Sequence, residues 1–506
     1  MSRKHGRIHR PEYTPRVQLD EYEVDPASFD EMFEPGGGVR PEYRALAQRL
    51  LEMTPPDVEQ RQRLADLLLR NQGVTFTVYS DSAGIEKVFP FDPIPRLITA
   101  DEWEKVERGL VQRVHALNLF LRDIYGGQKI LNDGVIEPGL VYGSSGFRRE
   151  MIGMVPPQGV YTHIVGTDLI KDEQGNFVVL EDNARSPSGA SYVLECREVL
   201  KRVFRVLFEH YGVRPIDDYG DWLRDTMRHV APRAVDEPTV VLLSPGMYNS
   251  AYFEHSFLAR RMGVTLVEGR DLVVTDGSVC MRTTQGLKRV DVIYRRIDDD
   301  FLDPVVFRPD SILGCAGLFA AYRSGTVALA NAPGTGVSDD KAIYPYVPEM
   351  IRYYLGEEPI LPNVRTYIGS RDADRKYMLE NIDKLCIKQT DASGGYGMLI
   401  GTQATAEQCD EFRRRIEARP RSYIGQPVIN LGRHPTIIDG KLEGRCVDFR
   451  PYVLFGDKVR VIPGGLTRVA LRKGSLVVNS SQGGGYKDTW VLADDASGAI
   501  PAAGTA

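Results

Sequence analysis

Residues 386–398 read Cys-Ile-Lys-Gln-Thr-Asp-Ala-Ser-Gly-Gly-Tyr-Gly-Met. An apolar run delivers Lys388, a turn-forming loop with three glycines follows, and a strand pattern resumes at Met398. Glycine lets backbone N–H groups converge on phosphate oxygens, and a lysine adds a fixed positive charge. The stretch predicts a phosphate-binding loop, although alone it is equally typical of an ordinary β-hairpin. It is neither a Walker loop, since no Gly-Lys-Ser/Thr follows, nor a Rossmann fingerprint, since a strand follows it.

A second informative stretch, residues 162–183, predicts a β-hairpin. The strands are expected at 162–170 and 177–183, with a turn at 171–176. Glu181 and Asn183 are two apart and share a face, and if Ile170 pairs with Phe177, Asp168 lies diagonal to Glu181 on that face. Two carboxylates and an amide oxygen suit Mg²⁺. The alternative is a solvated hairpin with polar residues near its end.

The composition sets limits on fold and partners. A chain of 506 residues exceeds one hydrophobic core, so two or three domains are expected. Lys plus Arg is 63 and Asp plus Glu is 69, a net charge of −6 that argues against a nucleic-acid partner. Six scattered cysteines show no zinc or disulfide spacing. No apolar stretch suits a membrane helix and no secretory signal is visible, which predicts a cytoplasmic protein without a membrane partner.

Periodic apolar residues predict the elements between these stretches. Helices are expected at 102–125, capped by Asp101, and at 191–211, stopped by Gly212. Strands at 239–243, 264–267 and 290–294, with a helix at 251–262, predict a small parallel sheet between residues 235 and 335.

Taken together, these stretches resemble the ATP-grasp superfamily, in particular carboxylate–amine ligases such as glutathione synthetase and D-alanine–D-alanine ligase. In those ligases an Asp-Lys pair, a strand lysine, a glycine loop, an adenine hinge and an arginine strand precede the metal hairpin. Here the hairpin comes first, as in the circularly permuted, glutathionylspermidine synthase-like members. The resemblance covers roughly residues 70–490. It implies a mixed α/β, circularly permuted ATP-grasp fold with a small parallel-sheet pre-ATP-grasp domain.

The resemblance also implies a division of the chain into five regions. These are an irregular arm at 1–40, a helical region with the metal hairpin at 41–234, a Rossmann-like domain at 235–335, a nucleotide-binding half at 336–495 and a disordered tail at 496–506.

The same resemblance implies roles for individual residues. ATP would be held by Lys341 of the Asp340-Lys341 pair, by Lys388, by the loop residues Ser393, Gly394, Gly395, Tyr396 and Gly397, by the hinge residues Gln426, Val428 and Ile429, and by Asn479. Mg²⁺ would be held by Asp168, Glu181 and Asn183. Arg450 and Arg468 would act on the transferring phosphoryl group, and Arg148, Arg185, Arg295 and Arg296 would contact substrate.

Several assignments stay open at the sequence level. The hinge offers Gln426 and a proline where related ligases have an acidic residue, so the adenine register is undetermined. Of Arg295 and Arg296, one could equally pair locally with Asp298 or Asp299. His255 could be a base, although a lone histidine on a helix is more often structural.

The implied function is an ATP- and Mg²⁺-dependent carboxylate–amine ligase that acts through an acylphosphate. The alternatives are an ATP-grasp phosphotransferase and a nucleotide-binding partner protein without turnover. The carboxylate and amine substrates, small molecules or peptides, cannot be identified from the sequence, and neither can the oligomeric state.

Overall fold

The computed structural model describes residues 19, 21–78, 85–88, 90–232, 235–392, 397–478 and 484–493. The α-helices are α1 (Arg44–Glu52), α2 (Pro55–Asn71), α3 (Ala100–Ile124), α4 (Lys129–Asn132), α5 (Pro138–Tyr142), α6 (Ala190–Val203), α7 (Arg205–His210), α8 (Tyr219–His229), α9 (Tyr252–Met262), α10 (Leu318–Arg323), α11 (Val347–Leu355), α12 (Asp372–Glu380) and α13 (Ala406–Ala418). The strands are β1 (Thr75–Val78), β2 (Ile85–Val88), β3 (Arg96–Ile98), β4 (Ile164–Lys171), β5 (Phe177–Asn183), β6 (Val240–Leu243), β7 (Thr265–Val267), β8 (Leu272–Thr275), β9 (Ser278–Thr283), β10 (Gly286–Arg289), β11 (Val292–Arg295), β12 (Ala328–Ala330), β13 (Tyr367–Ile368), β14 (Leu385–Gln389), β15 (Leu399–Ile400), β16 (Tyr423–Pro427), β17 (Arg433–Ile438), β18 (Lys441–Cys446), β19 (Tyr452–Phe455), β20 (Val459–Val461), β21 (Thr467–Val469), β22 (Gly485–Lys487) and β23 (Thr489–Val491).

The two long helical predictions need small corrections. Helix α3 begins after Thr99, whose hydroxyl accepts the Glu102 N–H at 3.3 Å while the Glu102 carboxylate accepts the Thr99 N–H at 3.2 Å. This reciprocal capping box fixes the start of the helix, so Asp101 is not the cap. The predicted helix at 191–211 is divided into α6 and α7 at Phe204, whose φ of −128° and ψ of 45° are not helical.

The parallel sheet predicted between residues 235 and 335 is present. Its strand order is β12-β11-β6-β7, and all three pairings are parallel. Because parallel strands share one carboxyl edge, the segments that follow β6, β11 and β12 leave the sheet on the same side.

Two further four-stranded sheets carry the stretches identified from the sequence. The order β13-β16-β14-β15 contains Lys388 and the hinge, and the order β20-β19-β4-β5 contains the acidic hairpin. Strand β4 pairs with β19, with Gly166 opposite Tyr452, 286 positions later in the chain. One sheet therefore joins the early hairpin to the late arginine strand, as the permuted fold requires.

The register of the hairpin differs from the prediction. Lys171, not Ile170, is opposite Phe177, and the register shifts between Asp168 and Leu169. This bulge brings Asp168 directly opposite Glu181, whereas the prediction made them diagonal neighbours.

A buried asparagine fastens both ends of the hairpin to the parallel sheet. The Asn331 side chain accepts the N–H groups of His163 and Ile164 at 2.6 and 2.9 Å. It also donates to the carbonyl oxygens of Ile164 and Ala184 at 2.8 and 2.7 Å. The hairpin is therefore held at its entry and its exit by one side chain after β12.

The described part of the N-terminal segment, residues 21–40, contains no α-helix or strand but is packed onto the molecule. Glu31 forms a buried ion pair with Arg96, with an Arg96 Nη2 to Glu31 Oε1 distance of 2.6 Å. Arg96 also donates to the carbonyl oxygen of Asp448 at 3.0 Å. Within the described ranges, no helix combines the length and the apolarity needed to cross a membrane.

Candidate functional site

A first cavity, with about 1000 Å³ of empty space including open solvent, lies between two of the sheets. The β4–β5 hairpin contributes Asp168 and Glu181, and the opposing sheet contributes Lys388 and the segment 426–429. Apolar side chains supply much of the rest, among them Ile170, Leu180, Val364, Met398, Ile400, Leu431, Val477 and Val478. A mostly apolar cleft with a few convergent charges is typical of a small-molecule site.

A second cavity, of about 1730 Å³ including open solvent, adjoins the first. Glu181, Lys341, Ala392 and Arg468 line both cavities, so these residues mark their junction. The second cavity also reaches the loop that follows the hairpin and the Asp299–Asp300 segment after the parallel sheet. Charged groups therefore concentrate where the two spaces meet.

Asp168 is the centre of a buried ionic cluster. Arg450 donates to it through Nε and Nη2, the latter at 2.7 Å, and Arg468 Nη2 donates at 2.6 Å. Asp448 in turn accepts Arg468 Nε at 3.0 Å. Burial alone would raise the pKa of the Asp168 carboxyl, but the two guanidinium groups hold that pKa well below its ordinary value. Asp168 is therefore ionised throughout the physiological range.

Lys341 lies at the junction of the cavities. Its ammonium is 3.3 Å from Glu181 Oε2 and donates to the carbonyl oxygen of Ala392 at 2.7 Å. Burial lowers the pKa of Lys341, but the Glu181 carboxylate, together with Asp339 and Asp168, more than offsets this and the net shift is upward. The lysine therefore keeps a full positive charge and ties the hairpin to the start of the glycine-containing loop.

Lys388 and Gln426 form a pair on the opposing sheet. Cys386 is opposite Gln426 in the β14–β16 ladder. Lys388, two residues after Cys386, is therefore the diagonal neighbour of Gln426 on the same face of the sheet. The Lys388 ammonium donates to Gln426 Oε1 at 2.8 Å, and Gln426 Nε2 donates to Thr366 Oγ1 at 3.0 Å. The amide orientation of Gln426 is therefore fixed from both sides.

The predicted hinge has one backbone donor left for a ligand. Pro427 has no N–H, and the Val428 N–H donates to the carbonyl oxygen of Lys384 at 3.1 Å. The Ile429 N–H has no protein acceptor among the described residues.

Of the predicted phosphate-binding loop at residues 393–397, Gly397 is described. It has a φ of +67°, which favours glycine, and it does not line either cavity. Ser393, Gly394, Gly395, Tyr396 and Asn479 lie outside the described residues, as does the predicted 496–506 tail.

The predicted metal ligands offer an incomplete oxygen cage. Asp168 and Glu181 line the first cavity, whereas Asn183 lines only the second, where its Nδ2 donates to the Gly166 carbonyl at 3.2 Å and leaves its oxygen as an acceptor. No described group of three or more His, Cys, Asp or Glu side chains could hold a metal. Two carboxylates and an amide are donors of the type that Mg²⁺ takes, and this ion keeps several waters and takes its other ligands from substrate phosphates. At Asp168 the ion would share oxygens that already accept hydrogen bonds from Arg450 and Arg468.

Two of the four predicted substrate arginines line the second cavity. Arg148 pairs with Asp299 and Asp300 at 3.2 and 2.8 Å. The Arg185 side chain is 40% exposed and pairs, among the described residues, with Asp298 at 3.3 Å and with Asp339 at 3.8 Å. The long loop after Asn183 thus places a partly exposed guanidinium in the cavity wall.

Arg295 and Arg296 line neither of these two cavities, so their contacts give no support to the predicted substrate role. Arg295 is fully buried and donates to the carbonyl oxygens of Asn331, Ile297 and Ala332 at 2.6, 2.8 and 3.0 Å. It also pairs with Asp299 at 2.7 Å, which is the local alternative weighed from the sequence. Arg296 pairs with Glu254 at 2.8 Å.

Two residues of the candidate site were not predicted from the sequence. Asp448 orients Arg468 by accepting a hydrogen bond from its Nε. The sequence indicated Asp448 only by its position two residues before Arg450, on the same face of a predicted strand. Asp339 lines the second cavity and accepts the N–H groups of Ala184 and Arg185 at 2.6 and 3.0 Å. Burial raises the pKa of Asp339 to about 6. His255 is buried, and its Nδ1 is 2.9 Å from the Ser244 hydroxyl. It lines neither cavity, as expected of a structural histidine.

Two sheets that enclose one cleft from opposite sides, built from distant parts of the chain, define the ATP-grasp architecture. The chain belongs to the circularly permuted ATP-grasp type 2 family, because the sequence pattern of that family matches residues 95–470. Members of the ATP-grasp superfamily generally use ATP and Mg²⁺.

Similar proteins include two curated relatives and one solved structure. A Synechocystis sp. protein named only as uncharacterized is 56% identical over 478 residues, 94% of this chain and 99% of the relative. A Frankia alni protein named "Putative glutamate--cysteine ligase 2-3" is 42% identical over 487 residues, 96% of this chain but 56% of the relative. A glutathione synthetase-like effector (GSS30) from Globodera pallida has a TM-score of 0.53 at 11% identity, covers 87% of this chain and 98% of its own, and shows the fold alone.

Proposed function

We propose that this protein is an ATP- and Mg²⁺-dependent ligase that joins a carboxylate to an amine through an acylphosphate and releases ADP. The observation that carries the proposal is the meeting of the early carboxylates Asp168 and Glu181 with Lys341, Lys388 and Arg468 around one cleft. The name of the Frankia relative supports a carboxylate–amine ligase, although this chain spans little more than half of that protein.

We place the nucleotide with its base in the apolar part of the first cavity and its phosphates at the junction. The Ile429 N–H, which has no acceptor among the described residues, would donate to the adenine ring and so set the adenine register. Lys388 and Lys341 would neutralise the phosphates, and the 393–397 loop and Asn479 would cover them. Such a site works by positioning and charge neutralisation, because phosphoryl transfer needs little covalent help.

Asp168, Glu181 and Asn183 would hold Mg²⁺ beside the phosphates. The ion would supply charge neutralisation and orientation of the phosphate oxygens. The ionised state of Asp168, maintained by two arginines, matches the need for an anionic ligand.

The second cavity would hold the carboxylate substrate against the junction. A carboxylate oxygen attacks the γ-phosphorus, a new O–P bond forms and ADP leaves with the electrons of the broken bond. Arg468, which lines both cavities, and Arg450, which lines the second, would stabilise the charge on the transferring group. The amine nitrogen then attacks the acyl carbon, the C–O bond to phosphate breaks, and the amine proton passes to solvent. Inorganic phosphate and an amide are the products.

The direct test is a hydroxylamine trap. Purified protein is incubated with MgATP, hydroxylamine and L-glutamate, and then with pooled amino acids, peptides and polyamines, while ADP and hydroxamate are measured. A ligase gives equal amounts of ADP and hydroxamate with at least one carboxylate. ADP together with a stable phosphorylated product and no hydroxamate would instead identify a phosphotransferase. ATP binding without ADP release from any pool would identify a nucleotide-binding protein without turnover.

Substitution of the two carboxylates separates binding from chemistry. Asp168→Asn and Glu181→Gln should lower ADP release by about 100-fold or more, because the metal ligands are lost, while ATP binding weakens far less. Asp172→Asn, in the hairpin turn outside both cavities, is the matched control. Equal ADP release from the wild type and all three variants would show that Asp168 and Glu181 do not take part in the reaction.

A further inference from the structure

The segment 187–191, called the 187–191 turn here, leads from the loop after the hairpin into the first two residues of α6 and is part of the cavity wall. Pro187, Ser188 and Gly189 line the second cavity. No residue of the turn lines the first cavity. A displacement of this turn would therefore change the space next to the junction and leave the lining of the first cavity intact.

Two side chains of the parallel-sheet region hold the turn by its polar groups. Arg296 donates to the Pro187 carbonyl oxygen at 2.7 Å and to Ser188 Oγ at 2.6 Å. Glu254, on α9, accepts the Gly189 N–H at 2.6 Å and the hydroxyl of Ser191 at 3.1 Å. Glu254 thereby takes the place of a capping anion at the start of α6.

The two side chains also hold each other. Arg296 Nη2 is 2.8 Å from Glu254 Oε1, and the two side chains are 2% and 1% exposed. From the other side, the Tyr452 hydroxyl donates to the Ser188 carbonyl oxygen at 2.7 Å. The turn is therefore clamped between β19 and the buried pair, and neither member of the pair can touch a ligand itself.

We propose that Glu254 and Arg296 are positioning residues for the substrate of the second cavity, and that they act by fixing the 187–191 turn. This inference rests on the proposed ligase function, since it assigns the carboxylate substrate to the second cavity. It gives a role to two buried, charged side chains that line neither cavity.

The selectivity of the effect distinguishes positioning from general destabilisation. Glu254→Gln keeps the shape but removes the charge that binds Arg296. Arg296→Lys keeps the charge but loses the planar fork whose two Nη atoms reach Pro187, Ser188 and Glu254 together. Each variant should lower kcat/KM for the carboxylate by about 10–100-fold. The Kd of ATP should stay at the wild-type value, because the first cavity is not lined by the turn.

The experiment uses the full chain, with isothermal titration of MgATP for the Kd and the hydroxamate assay for kcat/KM. The carboxylate is the one that gives most hydroxamate with the wild type. Asp303→Asn is the matched control, because Asp303 is also a buried carboxylate that accepts helix N-terminal N–H groups in the parallel-sheet region, but of α10. It should change neither quantity.

The outcomes separate the two proposals. Hydroxamate from the wild type with an unchanged kcat/KM in both variants, or a parallel loss of ATP affinity, would overturn the positioning role alone. No hydroxamate from the wild type with any carboxylate would overturn the ligase function, and the positioning role with it. If neither the Glu254 nor the Arg296 variant folds, Ser191→Ala provides a milder test, because it removes only the hydrogen bond from the Ser191 hydroxyl to Glu254. It should lower kcat/KM for the carboxylate by a smaller factor and leave the Kd of ATP unchanged.

Discussion

Asp168 combines a buried position with a full negative charge, and it can do so only because Arg450 and Arg468 face it. A buried ion pair gains from its geometry only when the remaining donors and acceptors are satisfied. Asp448 provides that completion by holding Arg468 from behind. The cluster is therefore an integrated unit, and the loss of any one member would leave an unpaired charge in the interior.

At the same scale, Lys388 offers a direct test of the nucleotide site. Lys388→Met should raise the Kd of ATP by about 10–100-fold, because a hydrogen bond to a charged group contributes about 1.5–3 kcal/mol. Lys384→Met is the control, since that lysine is exposed on the same segment and lines neither cavity. Isothermal titration with MgATP measures both values, and equal values for the two variants would contradict the assignment.

His163 gives the protein a defined sensitivity to acid. Burial lowers the pKa of this histidine to about 4, and its Nδ1 is 3.0 Å from the Phe455 carbonyl oxygen. Because the unfolded chain takes up the proton near pH 6.5 and the native state only near pH 4, stability is lost as the pH falls through this window, by up to about 3 kcal/mol. His163→Gln should lose less stability than the wild type between pH 7 and 4 in urea unfolding. Parallel curves would show that His163 does not cause the slope.

Among the elements, the loop that precedes the hairpin depends on a close backbone approach. A Cβ on Gly146 would lie 2.2 Å from the Gly336 carbonyl carbon and 2.5 Å from the Val337 nitrogen. Gly146→Ala should therefore destabilise the protein by about 1–3 kcal/mol, because the backbone must separate. Gly139→Ala, in α5 with nothing within 4 Å of its Cβ, should be neutral or stabilise by up to about 1 kcal/mol. Chemical unfolding checks both, and similar values would disprove the close approach.

The elements also show what the sequence could predict. The hairpin, the parallel strands and Lys388 follow from local apolar patterns, so their positions were predicted to within a few residues. No sequence pattern indicates the bulge beside Asp168, and the predicted register is wrong by one residue at the turn and by two at Asp168. The burial of Arg295 depends on carbonyl groups of residues 331 and 332, which no local rule brings near. The rotated order of the site was accessible only through the family resemblance.

For the whole molecule, MgATP should reduce hydrogen exchange in segments that are far apart in sequence. Peptides from 164–183, 385–389, 423–429 and 448–468 should be protected together, because each contributes a wall of the first cavity or its ionic cluster. The β8–β10 sheet lines neither cavity and serves as the internal reference. Protection confined to the late segments would place the hairpin outside the nucleotide site.

The pairing of β4 with β19 has a consequence for biosynthesis. Strand β4 leaves the ribosome with an open edge, and its partner is made 286 residues later. At about 5–20 residues per second, the nascent chain would wait roughly 15–60 seconds before that edge could close. During this interval the Asp168 carboxylate has no guanidinium to face. Co-translational folding of the N-terminal half must therefore stop short of the native sheet, and a chaperone that shields exposed strand edges would find its target there.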